Sequence, residues 1–229
     1  MPKSTIDPAA AASVSEADAA LGIIGRAIEA APSVDALAPA IDGIHQFAIS
    51  LLAQGVGSDR ITRVISALND AVTRRIIEID RQLHDLSGIA WAWLAFGSEG
   101  REEQTLSTDQ DNGIVFQCEA KPGAEAEEKA EAAEQAAKAR LLAFAQAVNA
   151  DLDRCGYPLC EGNIMAGNPE WCLTLREWKL RFAGWIYKPE PLALLNASIF
   201  FDFRVIYGKA SLADELHRYL FGISQSNTA

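Results

Sequence analysis

The sequence has few residues of the kinds that build zinc sites and disulfide frameworks. It contains 3 histidines and 4 cysteines among 229 residues, and no two cysteines are spaced as Cys-x-x-Cys. The histidines are scattered along the chain, so a histidine-based metal site is disfavoured. Reduced thiols in a reducing compartment are expected for the cysteines, which are Cys118, Cys155, Cys160 and Cys172.

The chain also lacks an excess of basic residues and a long apolar run. Its 20 Lys and Arg residues against 31 Asp and Glu residues give a formal net charge of −11. Binding to a nucleic-acid backbone needs a basic face, so that class of protein is disfavoured. No apolar run reaches the roughly 20 residues that cross a bilayer, and residues 1–21 lack the pattern of a secretory signal. We therefore expect a cytoplasmic protein that binds neither nucleic acid nor a membrane.

Residues 1–86 carry the apolar spacing of helices. Helices are predicted over residues 13–31, 34–54 and 58–84, and the last has apolar residues at steps of three and four over several turns. An antiparallel bundle is expected. Its apolar stripe is typical of an ordinary core, and a homodimer interface through these N-terminal helices is the alternative.

The pattern changes at Gly88, where short apolar runs replace the helical spacing. Buried strands are predicted for IAWAWLAF, residues 89–96, and for DNGIVFQC, residues 111–118. A late strand is predicted for SIFFDFRVIYG, residues 198–208, and some strand character is expected at residues 163–165.

Helices are predicted between and after the strands. A long helix ends before Gly156, and Thr174 with Glu177 fits a capping box that opens another. A short helix is expected over residues 192–196, and a last one begins at Ser211.

These elements predict an α+β protein. A helical bundle over residues 1–86 precedes a domain over residues 87–208, in which a small mixed sheet is flanked by helices. Residues 209–229 form a C-terminal helix, the expected start of a further helical region.

The stretch FGSEGREEQTLSTDQDNG, residues 96–113, concentrates glycine, hydroxyl and acidic residues between two apolar runs. Gly97 permits a tight turn and the close approach of a ligand. A helix beginning near Glu99 would present free backbone N–H groups to an anion, with Ser98 and Arg101 as further donors. The loop is neither a Walker A motif nor a dinucleotide fingerprint.

Two carboxylates follow this loop at Asp109 and Asp111. If the second strand begins near Asp109, both side chains point to the same face. Like charges at this spacing are costly unless water solvates them or a cation lies between them. Mg²⁺ prefers hard oxygen ligands and also binds phosphates, so a metal site is predicted and a merely solvated pair is the alternative.

A third carboxylate, Asp202, lies among aromatic and branched residues of the predicted late strand. A charge in such surroundings needs a partner. Two interpretations remain open: Asp202 completes the metal site, or it forms a structural ion pair with Arg204.

The Gly-Ser turn followed by Asp-x-Asp resembles the signature of the DNA polymerase beta nucleotidyltransferase superfamily. More closely, GSEGREEQTLSTDQD, EGNIMAGNPEWC and LLNASIFFDFRVIYG resemble three successive blocks of bacterial nucleotidyltransferases related to the PII-protein uridylyltransferase. These proteins are often fused to CBS or cyclic-nucleotide-binding domains, which this sequence does not contain. The resemblance spans residues 90–207.

The resemblance implies roles for individual residues. Gly97, Ser98 and Arg101 would contact the phosphates of a nucleoside triphosphate. Asp109 and Asp111 would bind Mg²⁺, and Asp202 would be the third metal-binding and catalytic carboxylate.

The activity implied is Mg²⁺-dependent transfer of a nucleoside monophosphate from a nucleoside triphosphate to an acceptor hydroxyl. By resemblance, the acceptor is a protein, as in PII uridylylation, which would place the enzyme in signal transduction. The alternative is a nucleotide-sensing module that binds without turnover, combined with a helical interaction scaffold in residues 1–86.

Overall fold

The helices of the N-terminal part form a layer on one side of a sheet. The structure, a computed structural model, describes residues 8–106, 108–118, 126–188 and 198–226. Helix α1 spans Pro8–Ala30, a 3₁₀ turn spans Asp35–Leu37, α2 spans Ala38–Ala53 and α3 spans Ser58–Asp80. A proline is tolerated in the first turn of α2 because its missing N–H has no intrahelical partner there.

The sheet has four strands in the order β3-β2-β1-β4. They are β1 (Ile89–Ala95), β2 (Asn112–Cys118), β3 (Cys172–Thr174) and β4 (Arg204–Gly208). β1 is antiparallel to both β2 and β4, whereas β2 and β3 are parallel. The segment between β1 and β2 therefore leaves the sheet where the two central strands meet, at the Ala95 and Asn112 pair.

Helices cover both faces of this sheet. They are α4 (Gly97–Gly100), α5 (Ala126–Arg154), α6 (Leu175–Tyr187) and a C-terminal helix α7 (Ala210–Ser226). Alternate residues of β1 point to opposite faces of the sheet. Trp93 belongs to the core formed with α1–α3 and α5, whereas Leu94 belongs to the core formed with α6 and α7. The core on the first face runs without a break from the N-terminal helices into the sheet.

The α+β class and the small mixed sheet flanked by helices are confirmed. The capping box at Thr174 is also confirmed, because its hydroxyl accepts the N–H of Glu177 while the Glu177 carboxylate accepts the N–H of Thr174. The domain boundary at residue 86 stays a prediction. The short helix predicted over residues 192–196 lies outside the described residues.

The late strand is shorter than predicted. Only Arg204–Gly208 is extended, while residues 198–200 are helical and residues 201–202 form a bend. Phe200 and Phe203 are both buried in the core on the α6 and α7 face. A spacing of three between buried aromatic residues is incompatible with the two-residue alternation of a strand, so the chain bends before β4 begins.

The strand character expected at residues 163–165 is wrong: residues 163 and 164 have no regular secondary structure, residue 165 lies in a bend, and Asn163 has a φ of 54°. Pairing occurs later, at β3, whose first residue Cys172 lies beside Ile114. The sequence of β3 is only three residues long and leads directly into α6, so periodicity does not reveal it.

Among the residues that the structure describes, one segment, Asp35–Ala53, is long and apolar enough to span a membrane by length and composition. Its apolar residues include Leu37, Ile41 and Ile44, which pack into the core shared with α1 and α3. A core helix has this composition too, so the segment is weak evidence for a membrane span.

Asp80 is a buried carboxyl at the end of α3, and its Oδ2 has no hydrogen-bond partner in the part of the chain that the structure describes. Burial, and next the Asp151 carboxylate of α5, raise the pKa of Asp80 to about 7, while Arg154 opposes the shift. The folded chain therefore keeps a proton that the unfolded chain releases near pH 4. Stability supplied by this proton is lost as the pH rises toward 7.

We predict that Asp80→Asn flattens the fall in stability between pH 5 and pH 8. The amide cannot ionise, so the variant should not lose this stability. Its free energy of unfolding should therefore increase relative to that of the parent as the pH rises. Urea denaturation at both pH values measures this difference. Asp153→Asn, which replaces an exposed carboxylate on α5, is the control, and a pH-independent difference for Asp80→Asn would contradict the assignment.

Candidate functional site

The turn after β1 is built on two glycines. Gly97 has a φ of 54°, and a Cβ there would lie 3.3 Å from Oδ2 of Asp111. A Cβ on Gly100 would lie 2.1 Å from the carbonyl oxygen of Asp202, which no side chain can tolerate. The two glycines thus allow the Asp111 side chain and the Asp202 backbone to approach the same turn.

The helix predicted to begin near Glu99 is only the single turn α4, Gly97–Gly100. Its closing hydrogen bonds run from the N–H of Gly100 to the oxygen of Phe96, at 2.8 Å, and from the N–H of Arg101 to the oxygen of Gly97, at 3.0 Å. Gly97 is buried and Ser98 is half-buried. A single turn has no extended helix dipole to attract an anion. Backbone and side-chain donors are therefore the groups of this turn that could bind one.

The structure brings Asp109 and Asp111 together, although both precede β2 rather than lying within it. Their carboxylates and the thiol of Cys160 each offer a ligand atom within 4.8 Å of the others. The thiol donates to Oδ1 of Asp111, with Sγ and Oδ1 3.4 Å apart. Cys160 was not predicted as a site residue, because sequence spacing carries no sign that residues 49 apart meet.

Burial raises the pKa of Asp111; the Cys160 hydrogen bond opposes this shift, and the charge on Asp109 reinforces it. Asp109 is exposed and Asp111 is half-buried. A cation between the carboxylates would lower the cost of ionising Asp111, because opposite charge favours the ionised form.

Buried amides hold the backbone of this acidic segment. Gln110 and Asn112 alternate with the two aspartates and point into the protein, where both oxygens accept hydrogen bonds from Nδ2 of Asn149, at 2.7 and 3.0 Å. Nε2 of Gln110 donates to the carbonyl of Tyr157, at 2.8 Å. With Gln110 between them and Asn112 after them turned inward, Asp109 and Asp111 share the outward side.

Glu99 lies buried beneath the turn and was not predicted. Burial, and next the charge of Asp70, raise the pKa of Glu99 to about 8. The Arg204 charge and the backbone N–H of Asp111 oppose the shift, whereas the Asp111 charge adds to it. No signal in the sequence distinguishes Glu99 from the exposed acids Glu102 and Glu103 that follow it.

Asp202 lies at the rim of the turn with an exposed side chain. Its Oδ2 is 3.4 Å from Nη1 of Arg101, which also pairs with Glu103 at 2.8 Å. Among the described residues, Asp202 is not one of the three that can share a metal ion. Arg204 pairs with Asp70 of α3 and not with Asp202, so the structural ion pair considered from the sequence is wrong.

A cavity near α5 lies apart from the predicted site residues. A cavity of about 570 Å³ lies between α5 and the start of α6, and its lining includes Phe116 and Lys138 but none of the predicted site residues. Asp109 instead lines a small polar space together with Glu99, Gln110 and Tyr157.

This Gly-Ser turn beside paired aspartates is the arrangement expected of a nucleotidyltransferase. The chain belongs to the family described as "Putative nucleotidyltransferase DUF294", whose sequence profile matches residues 42–192, more than half of the chain. The match contains the turn, Asp109, Asp111 and Cys160, whereas Asp202 lies beyond it. No curated protein matches the chain.

We predict that Gly100→Ala destabilises the protein, since its Cβ would meet the Asp202 backbone. Overpacking of this kind costs about 1–3 kcal/mol. The control is Gly184→Ala in α6, where a Cβ meets nothing within 4 Å and helix propensity should add about 0.5–1 kcal/mol of stability. Urea denaturation compares them, and equal stability of the two variants would contradict the close approach.

Proposed function

We propose that this protein transfers a nucleoside monophosphate from a nucleoside triphosphate to an acceptor hydroxyl, with Mg²⁺ as the metal. Membership of a nucleotidyltransferase family supports the reaction class. The observation that carries the proposal is the meeting of Asp109 and Asp111 beside a turn whose glycines let the Asp111 side chain and the Asp202 backbone come close.

The donor set at this position fits Mg²⁺. Asp109 and Asp111 supply hard carboxylate oxygens, and their mutual repulsion is relieved by a divalent cation. The Cys160 thiol is a soft donor, so its role toward Mg²⁺ is to orient Asp111 through their hydrogen bond. Bound Mg²⁺ would neutralise negative charge on the triphosphate and on the pyrophosphate leaving group.

The triphosphate would lie against the turn. Gly97 would contact it through the backbone of the turn, and Ser98 and Arg101 through side-chain donors. Arg101 is paired with Glu103 and Asp202, so a phosphate would compete with these carboxylates for the guanidinium. Acidic side chains outnumber basic ones around the turn, which makes the triphosphate dependent on the metal for binding.

In the reaction, the oxygen of the acceptor hydroxyl attacks the α-phosphorus and the bond to the pyrophosphate breaks. The hydroxyl proton needs an acceptor, and Asp202 is the carboxylate we assign to it and to a further metal contact. The backbone of Asp202 is fixed against Gly100, and its side chain is exposed to an incoming acceptor. By resemblance to the PII uridylyltransferase, we take a protein side chain as the acceptor and UTP as the donor.

A module that binds nucleotide without transferring it is the second candidate. The position of Asp202 favours it, because Asp202 is held by Arg101 and lies outside the group formed by Asp109, Asp111 and Cys160. The two candidates differ in turnover: both bind Mg²⁺ and triphosphate, but only the enzyme transfers label to an acceptor.

The deciding experiment incubates the protein with α-labelled ATP, UTP, CTP or GTP, Mg²⁺ and a host-cell lysate. The enzyme transfers label from one nucleotide to a macromolecule, whereas the binding module retains nucleotide in equilibrium dialysis and transfers none. Neither binding nor transfer with any nucleotide would reject both candidates.

We predict that Asp109→Asn and Asp111→Asn each abolish label transfer while the melting temperature stays equal or rises. Removing one charge relieves the repulsion between the carboxylates but takes away a metal ligand. Asp202→Asn should abolish transfer as well if it accepts the proton. Asp42→Asn, an exposed carboxylate on α2, is the control, and transfer at the parent rate by the double Asp109/Asp111 variant would contradict the metal site.

A further inference from the structure

Helix α3 buries a polar face that is unusual for a core helix. Ser66, Asn69, Asp70 and Thr73 are each at most 5% exposed, and their spacing places them on one side of the helix. Burying polar groups is costly unless they are hydrogen-bonded. The partners of three of these residues lie in the turn after β1 or in the strand beside it.

Asp70 forms the strongest of these contacts. Both of its carboxylate oxygens accept hydrogen bonds from Arg204, at 2.5 and 2.7 Å, in a bidentate pair. Nε of Arg204 also donates to the backbone carbonyl of Glu99, at 3.0 Å. One guanidinium therefore joins α3, β4 and the turn that contains Gly97 and Ser98.

The turn extends this connection to the acidic pair. Arg204 holds the backbone carbonyl of Glu99, and the N–H of the next residue, Gly100, donates to the carbonyl of Phe96 at 2.8 Å. The N–H of Phe96 in turn donates to the backbone carbonyl of Asp111 at 2.9 Å. Asp70 and Arg204 are thus connected through the backbone of the turn to a predicted metal ligand.

A second connection runs parallel to the first. Oγ of Ser66 accepts the backbone N–H of Gln104 at 3.1 Å, and Nδ2 of Asn69 donates to the side-chain oxygen of Gln104 at 3.3 Å. The Tyr157 hydroxyl donates to Asn69 at 2.9 Å. Helix α3 therefore fixes both ends of the segment from Glu99 to Gln104.

We propose that Asp70 and Arg204 are positioning residues that hold the Gly97–Gly100 turn and Asp111 in the arrangement that binds metal and triphosphate. The inference rests on the proposed function for its ligand, but the positioning itself is a property of the turn. A buried ion pair gives little net stability compared with an apolar replacement, so a role in fixing geometry fits it better than a role in stability.

The pair is tested by amide hydrogen exchange on the full chain. In Asp70→Asn, exchange at residues 99–104 should be about tenfold faster than in the parent, while the core amides of β1 and α5 keep their protection. Asp80→Asn is the matched control: it removes another buried carboxylate from α3, ten residues further on, where Asp151 rather than the turn is the neighbour. Unchanged exchange in Asp70→Asn, or the same increase in Asp80→Asn, would overturn the proposal.

Arg204→Lys decides the question if Asp70→Asn does not fold. Lysine keeps the positive charge beside Asp70 but cannot bond both carboxylate oxygens and the Glu99 carbonyl in one plane. The exchange at residues 99–104 should again rise, and Asp70→Glu should restore part of the protection lost in Asp70→Asn. Parent-like exchange in folded Arg204→Lys would overturn the proposal.

Calorimetry with Mg²⁺ and nonhydrolysable UTP and ATP analogues separates the positioning of the turn from the binding of nucleotide. Asp70→Asn and Arg204→Lys should each weaken binding about tenfold, and the double variant no further, because both act through one contact. Additive losses would overturn the shared role. If the parent binds neither analogue, the proposed function has failed, and the exchange data alone decide whether the pair positions the turn.

Discussion

Electrostatic repulsion between Asp109 and Asp111 is the constraint around which this part of the molecule is built. The two carboxylates point to the same side because Gln110 and Asn112, between and after them, are anchored inward on Asn149. Each buried amide has partners, so the backbone is fixed without help from the aspartates. The folded protein thus holds two like charges together in advance of any ligand, which is how preorganised sites reduce the cost of binding.

The same region depends on helices that precede the sheet in the sequence. The core of α1–α3 continues into the sheet face that carries Trp93 and Ile114, and the polar side of α3 supports the turn after β1. The N-terminal helices therefore contribute contacts to the site region, whichever way the chain is divided into domains. Their apolar residues stabilise the fold, and their few buried polar residues act on the geometry of the turn.

Sequence patterns predicted the features whose causes are local. The strands β1 and β2, the capping box at Thr174 and the turn at Gly97 each depend on residues a few positions apart. The contacts of Cys160, Glu99 and Arg204 could not be predicted, because their partners are distant in sequence or backbone groups. The late strand was predicted too long, because aromatic residues such as Phe200 and Phe203 are common in strands. In the fold both residues instead fill a core around Trp178, which the sequence does not reveal.

The central claim is that Asp109 and Asp111 share one cation beside the Gly97 turn. Paramagnetic broadening by Mn²⁺ in amide NMR spectra tests it most directly, because broadening falls steeply with distance from the ion. We expect substoichiometric Mn²⁺ to broaden the amides of residues 96–100 and 109–112 first, with a triphosphate analogue increasing the effect and Mg²⁺ reversing it. Broadening that begins elsewhere, or that persists unchanged in the double Asp109→Asn and Asp111→Asn variant, would contradict the account.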